Sequence, residues 1–100
     1  MEKNLEKAVE LYTAAANQGH SRAQCHLAYC YKKGEGVEKN WEKAVEWYTA
    51  ASNQGYSRAQ CNLGLCYENG EGVEKNLKKA VEWYTAAANQ GLSEIGRAHV

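Results

Sequence analysis

One hundred residues make one small domain, near the lower limit of what can bury its own core. Twelve basic and twelve acidic side chains cancel, which removes the field a nucleic-acid or membrane-surface binder needs, and no apolar run approaches the roughly 18 residues of a membrane span. Proline, phenylalanine and aspartate are absent, helix formers dominate, and Met1-Glu2-Lys3-Asn4 lacks the apolar core of a secretory signal.

Self-similarity organises the chain. Residues 20–55 and 56–91 match at 27 of 36 positions without a gap, and residues 2–19 match the back half of that unit. A 36-residue period is two helices plus two turns. The first predicted element, over residues 2–16, is therefore a second-half helix whose own first-half helix is missing. Next comes helix A, residues 21–33. Ser21-Arg22-Ala23-Gln24 reads as a capping box, with the serine hydroxyl accepting from the N3 amide and the glutamine reaching back. Ala23, Leu27, Cys30 and Tyr31 fall within one arc of this helix. Gly34, able to take the left-handed conformation, should end it. After the Gly34-Glu35-Gly36-Val37 turn, Asn40 caps helix B, which runs to about residue 54 and is closed by Gly55. Helix B carries Trp41, Ala44, Trp47, Tyr48 and Ala51 along one stripe.

The second unit repeats the plan. Tyr56 precedes a second box at Ser57–Gln60 and could staple onto Cys61, Gly70 ends helix A, Asn76 caps helix B, and Gly91 is expected to close it. Leu92-Ser93 starts a third helix A, but Ile95, Gly96 and His99 stand where Ala, Gln and Leu are expected. Ile95–Val100 also coincides with the translation of a common sequencing adapter, so residues 94–100 are set aside. The expected division is 1–19, a partial repeat of helix B only; 20–55, the first repeat; 56–91, the second; and 92–100, the start of a third running into a non-native tail. No stripe can be buried alone, so neighbours must cover it. With two and a half units and no polar capping repeat, modest stability, fraying outer helices and sticky ends at Leu5, Leu11 and Tyr12 are expected, with end-to-end self-association as a consequence.

The pattern A-Q-x-x-L-A/G-x-x-Y, then G-x-G-V, then K-A-x-x-W-Y and N-Q-G resembles the Sel1-like repeat, related in shape to the tetratricopeptide repeat. The likeness covers about residues 2–93. It implies an all-α, right-handed α-α superhelix of about two and a half helix-turn-helix repeats, whose concave surface, lined largely by helix A, grips a protein or peptide. Cysteine-rich bacterial relatives bridge helix B to the next helix A. Here those positions are Ala16 or Ser52 and Gln24 or Gln60, a departure that argues against a disulfide framework.

The chemistry-bearing residues have structural readings. Cys25/Cys30 and Cys61/Cys66 are i,i+5 pairs that diverge by about 140° around a helix, too far for a bridge. Cys30 and Cys66 read as small buried apolar groups, and reduced thiols favour a cytoplasmic location. His26 and Cys30 share a face, but unit two has Asn62 in place of His26, so zinc ranks low. Without aspartate, and with only His20 and His26 before the tail, no catalytic triad is indicated. The Gly-Glu-Gly-Val turns lack the lysine and strand of a phosphate loop, and no cofactor is called for.

Nine positions differ between the full units, five of them in helix A or its end: His26/Asn62, Ala28/Gly64, Tyr29/Leu65, Lys32/Glu68 and Lys33/Asn69. Drift on a solvated face would explain them. A groove reading different partner features would do so as well, with Tyr29 and Leu65 as apolar anchors, Arg22 and Arg58 meeting acidic groups, and Lys32 and Glu68 setting local charge. The candidate partner-binding residues are thus Arg22, Cys25, His26, Tyr29 and Lys32 in unit one and Arg58, Cys61, Asn62, Leu65 and Glu68 in unit two. A non-enzymatic interaction scaffold or adaptor leads. A ligand-binding or hydrolase-like cysteine-rich repeat protein and a thiol or zinc module remain as alternatives.

Overall fold

The computed structural model describes residues 4–98, and the side chains of residues 4–90. Five helices follow one another: α1 (Leu5–Asn17), α2 (Ser21–Lys33), α3 (Trp41–Asn53), α4 (Ser57–Asn69) and α5 (Leu77–Ala98), with no strand among the described residues. Each helix packs on its neighbours in chain order, α1 on α2 through to α4 on α5, and the array measures 44 × 35 × 25 Å. Helices A are α2 and α4; helices B are α1, α3 and α5.

The helix starts divide into two kinds. Asn4, Asn40 and Asn76 cap helices B: their Oδ1 atoms accept from the amides of Lys7, Lys43 and Lys79 at 2.9, 3.0 and 3.0 Å. The capping boxes expected at helices A do not form. α2 and α4 begin at Ser21 and Ser57 themselves, the caps are His20 and Tyr56, and neither makes a side-chain capping bond. The glutamines are committed elsewhere. Gln24 Nε2 donates to the Ala16 carbonyl and Gln60 Nε2 to the Ser52 carbonyl, each at 3.1 Å. Each glutamine also accepts through Oε1 from a later one, Gln54 and Gln90 respectively, at 2.9 Å. Both are 5% exposed. A buried amide that satisfies a helix-end carbonyl is worth more than an exposed cap, so the clamp wins.

The same clamp accounts for a second departure. α5 does not stop at Gly91 but runs on to Ala98. The position of Gln24 and Gln60 is Gly96 there, which has no amide to tie a turn back to the preceding helix. Of the tail expected over 94–100, residues 99–100 lie outside the described residues, as does the start at 1–3.

Gly34 and Gly70 end α2 and α4 in the left-handed conformation, φ 73° and 69°, as expected. Gly36 and Gly72, at φ 75°, do more. A Cβ on Gly72 would collide with the Trp41 carbonyl and lie 2.8 Å from Val45 Cγ2, and one on Gly36 would meet the Leu5 carbonyl and Val9 in the same way. The turn of each repeat is therefore seated backbone-to-backbone on the first turn of the preceding helix B.

Alanine lets the helices close. Ala28, Ala44, Ala51 and Ala59 are fully buried, with Leu27, Leu63 and Tyr48 filling between them, while Trp41 and Trp47 pack partly buried against this core. Position 28/64 thus belongs to the core rather than to a free surface. A Cβ on Gly64 would sit 2.8 Å from Tyr84 Cε1, so the glycine is what admits that ring. At the ends, Leu5 and Leu11 of α1 and Leu77 and Val81 of α5 are exposed.

Ser52 carries a buried Oγ with no partner, while the corresponding residues are Ala16 and Ala88. An unpaired buried hydroxyl costs about 1 kcal/mol or more. Ser52→Ala should therefore raise the thermal midpoint by roughly 5 °C; an unchanged or lowered midpoint in a calorimetric scan would show that the hydroxyl is satisfied.

Candidate functional site

Three depressions follow one another along α2 and α4, each also walled by a helix B. The first, about 440 Å³, is lined by Tyr12 and Ala15 of α1 with His20, Arg22, Ala23 and His26. The middle one, about 310 Å³, is bounded by Cys25, His26 and Tyr29 of α2, Tyr48 of α3, and Tyr56, Arg58 and Asn62. The third, about 520 Å³, lies between α4 (Ser57, Arg58, Cys61, Asn62) and α5 (Tyr84, Ala87, Ala88). His26 is shared by the first two, and Arg58 and Asn62 by the last two, so the depressions lie in one row with common walls, termed the groove.

Helical geometry places them there. On α2 the residues Arg22, Cys25, His26 and Tyr29 step by three, one and three, a single edge of the helix, and α4 repeats the edge with Arg58, Cys61, Asn62 and Leu65. Of the ten candidate residues, seven line the groove: Arg22, Cys25, His26, Tyr29, Arg58, Cys61 and Asn62. Leu65 lines none of the three but is 41% exposed, close to the 43% of Tyr29. Lys32 instead lies 5.8 Å from the Trp41 ring centroid, and Glu68 accepts a 2.7 Å hydrogen bond from the Tyr84 hydroxyl. Both are engaged in side-chain packing, which leaves them less free to read a partner's charge.

Sequence reasoning missed the tyrosines. Tyr12, Tyr48 and Tyr84 occupy one position of helix B, 36 residues apart, and each walls a different depression. Their recurrence was visible, but the helical stripe assigned Tyr48 to packing, and Tyr12 was read only as part of a sticky end. Their surroundings differ. Tyr12 stacks on His26, with ring centroids 5.1 Å apart and 10° between planes. Tyr48 is 1% exposed and its hydroxyl has no partner. Tyr84 leans over Gly64 to reach Glu68.

Electrostatics follow burial. Desolvation pushes the Cys25 thiol up against a smaller opposing pull from Arg58, and pushes up Cys30 with help from Glu35. Cys66 rises to about 11, again mainly by burial, with Glu71 raising and Lys32 lowering it. These three thiols stay protonated at neutral pH and are poor nucleophiles and poor metal ligands. Cys61 is exposed, and all four cysteines are free in this structure. Among the described residues, no three His, Cys or Glu side chains converge as a metal cluster would require. No helix among them is long and apolar enough to cross a membrane.

Burial, then the Glu68 hydrogen bond and charge, lift the Tyr84 phenol from 10.0 to about 12. The folded chain therefore holds this proton more tightly than the unfolded chain. Its contribution to stability is complete below pH 10 and is lost as pH climbs through about 12. Tyr84→Phe should make the alkaline fall in stability shallower over that window, measured by urea denaturation at stepped pH. An unaltered slope would mean that the Glu68 bond is not formed in solution.

Comparison with known proteins agrees with this geometry. A family model described as the Sel1 repeat matches residues 1–20, 21–56 and 57–92. Among solved structures, a Sel1 repeat protein from Oxalobacter formigenes shares 42% identity over 89% of this chain and 37% of its own, with a TM-score of 0.85. A protective antigen of uropathogenic Escherichia coli, c5321, with an SLR fold, shares 37% over 86% of this chain and 18% of its own, also at 0.85. Cysteine rich protein B of Helicobacter pylori shares 27% over 89% of this chain and 67% of its own, again at 0.85. The chain thus spans little more than a third of the first of these and less than a fifth of the second. No curated protein matches it.

Proposed function

We propose, from the premise that this chain belongs to the Sel1 repeat family, that it serves as an interaction scaffold which lays a protein or peptide segment along the α2–α4 groove. The family's repeats are in general protein-interaction scaffolds, and the chain is a helical repeat solenoid of that kind. The observation that carries the choice of face is the groove itself: three depressions joined through His26, Arg58 and Asn62. Tyr29 and Leu65 stand exposed at equivalent positions of the two units, and two arginines repeat with the same 36-residue spacing. Half-exposed aromatic and arginine side chains beside depressions are what interface hot spots are made of.

Selection of a random peptide library against the folded chain tests this. Enriched peptides should lose at least tenfold in affinity with Tyr29→Ala and keep it with Glu46→Ala, which alters an exposed residue of α3 outside the three depressions. Peptides indifferent to Tyr29 but sensitive to Glu46 would move the site to another face.

A further inference from the structure

The middle depression has a more specific character than its neighbours. We propose that it is a subsite for a single carboxylate side chain of the bound segment, Asp or Glu, with Arg58 as its ionic partner and the Tyr48 hydroxyl as a buried donor. The proposal rests on the reading of the groove as a peptide site and names the chemistry that site selects.

Three observations carry it. First, none of the residues lining the three depressions is acidic, although the chain has twelve Glu and the groove carries Arg22 and Arg58. Excluding acids from a groove on a neutral protein leaves a local positive field, which draws in anions and rejects cations. Second, Tyr48 is the most deeply buried residue lining the middle depression, and its hydroxyl has no hydrogen-bond partner. A buried donor left unpaired is costly, and a ligand oxygen relieves that cost only where the ligand binds. Tyr84, at the same position one unit on, gives its hydroxyl to Glu68, whereas unit one has Lys32 where an acceptor would be needed. The unpaired state of Tyr48 follows from that exchange. Third, the walls suit the stem of an acidic side chain. Tyr29, 43% exposed, and Tyr56 flank the space with apolar ring faces.

The choice of a carboxylate over a phosphate follows from charge. Arg58 is the one permanently charged side chain lining this depression, enough to balance a monoanion and to bind it through two parallel N–H donors, while a phosphate dianion would need His26, whose ring is stacked on Tyr12, as a second cation. Asn62 adds little, because its Nδ2 already donates to the Arg58 carbonyl at 3.0 Å.

The test uses the full chain and peptides selected from the random library, each resynthesised with Glu at the enriched acidic position, with Gln there, and with phosphoserine there. The expected result is binding at least tenfold tighter for Glu than for Gln, a difference abolished by Arg58→Gln. Tyr48→Phe should reduce the Glu-over-Gln preference about threefold and at the same time raise the thermal midpoint of the free chain. A purely structural tyrosine would not pair a stabilised fold with a lost preference. Equal binding of Glu and Gln peptides by the unmodified chain would overturn the carboxylate subsite while leaving the groove as a peptide site. So would a phosphoserine peptide bound more than tenfold above the Glu peptide, or Tyr48→Phe with the preference intact. Enrichment of no peptide at all would overturn the scaffold reading as well.

Discussion

Gly72→Ala should lower the thermal midpoint by roughly 10–20 °C. Two costs combine. At φ 75° an L-residue is strained by about 1–2 kcal/mol. In addition, the new Cβ would overlap the Trp41 carbonyl and crowd Val45 Cγ2 at 2.8 Å, neither of which can move without shifting the first turn of α3. Together these reach about 3 kcal/mol, a large share of the stability of a small domain. Gly70→Ala is the control. It has nearly the same φ, 69°, but its nearest neighbour would be the Lys75 side chain at 3.2 Å. Calorimetry should therefore show Gly70→Ala costing no more than about half as much as Gly72→Ala. Equal losses would mean that only backbone strain matters and that the turn is not seated on the neighbouring repeat.

That contact marks the boundary of what the sequence reveals. The 36-residue period, the Asn4, Asn40 and Asn76 caps and the glycine stops at Gly34 and Gly70 could be read directly, because each rests on interactions within a few residues. The groove edge was legible for the same reason: helical spacing alone puts Arg22, Cys25, His26 and Tyr29 side by side. What escaped depends on partners distant in sequence. Gly36 and Gly72 look like two more turn glycines until α1 and α3 are set against them. Ser21-x-x-Gln24 spells a capping box, and nothing local says that Gln24 will turn to Ala16 instead. The Ala28/Gly64 difference looks like drift until Tyr84 is seen over Gly64. The three tyrosines of helix B share the context A-V-E-x-Y-T-A-A yet end stacked, sealed and hydrogen-bonded, respectively, because the residues they face on helix A differ.

Those differences bear on function. A repeat array with invariant packing can vary the character of successive depressions by changing a few helix-A residues, because stability is a sum over units and interfaces whereas recognition is read position by position. In this chain the exchange of Ala28 and Lys32 for Gly64 and Glu68 leaves one tyrosine hydroxyl paired and the other unpaired without disturbing the repeat register. On the proposed reading, affinity and specificity are thereby written on a scaffold whose rigidity comes from elsewhere, chiefly the seated turns and the glutamine clamps.

The clamps can be tested on their own. Gln60→Met keeps the length and nearly the volume of the side chain and removes only its amide. The Ser52 carbonyl then loses the donor at 3.1 Å and the Gln90 amide loses its acceptor at 2.9 Å, in a site where the glutamine itself was 5% exposed. The Ser52 carbonyl keeps the Gly55 amide at 2.9 Å, so losing one of its donors and the Gln90 bond together costs about 2 kcal/mol, of which the Met side chain recovers under about 1 through apolar burial. A net loss of about 1 kcal/mol or slightly more lowers the midpoint by roughly 5–8 °C. Gln54→Met should cost far less. It removes the donor of the 2.9 Å bond to Gln24, but residue 54 is exposed and Gln24 keeps its own bond to Ala16. The loss should also be local. Amide exchange should accelerate at Gly55, Tyr56 and the first turn of α4, where the clamp ties helix B to the next helix A, before it does so in α2. If Gln60→Met and Gln54→Met proved equally mild, the joint between repeats would be held by apolar packing alone. The continuation of α5 past Gly91 would then need a cause other than the glycine that stands at residue 96.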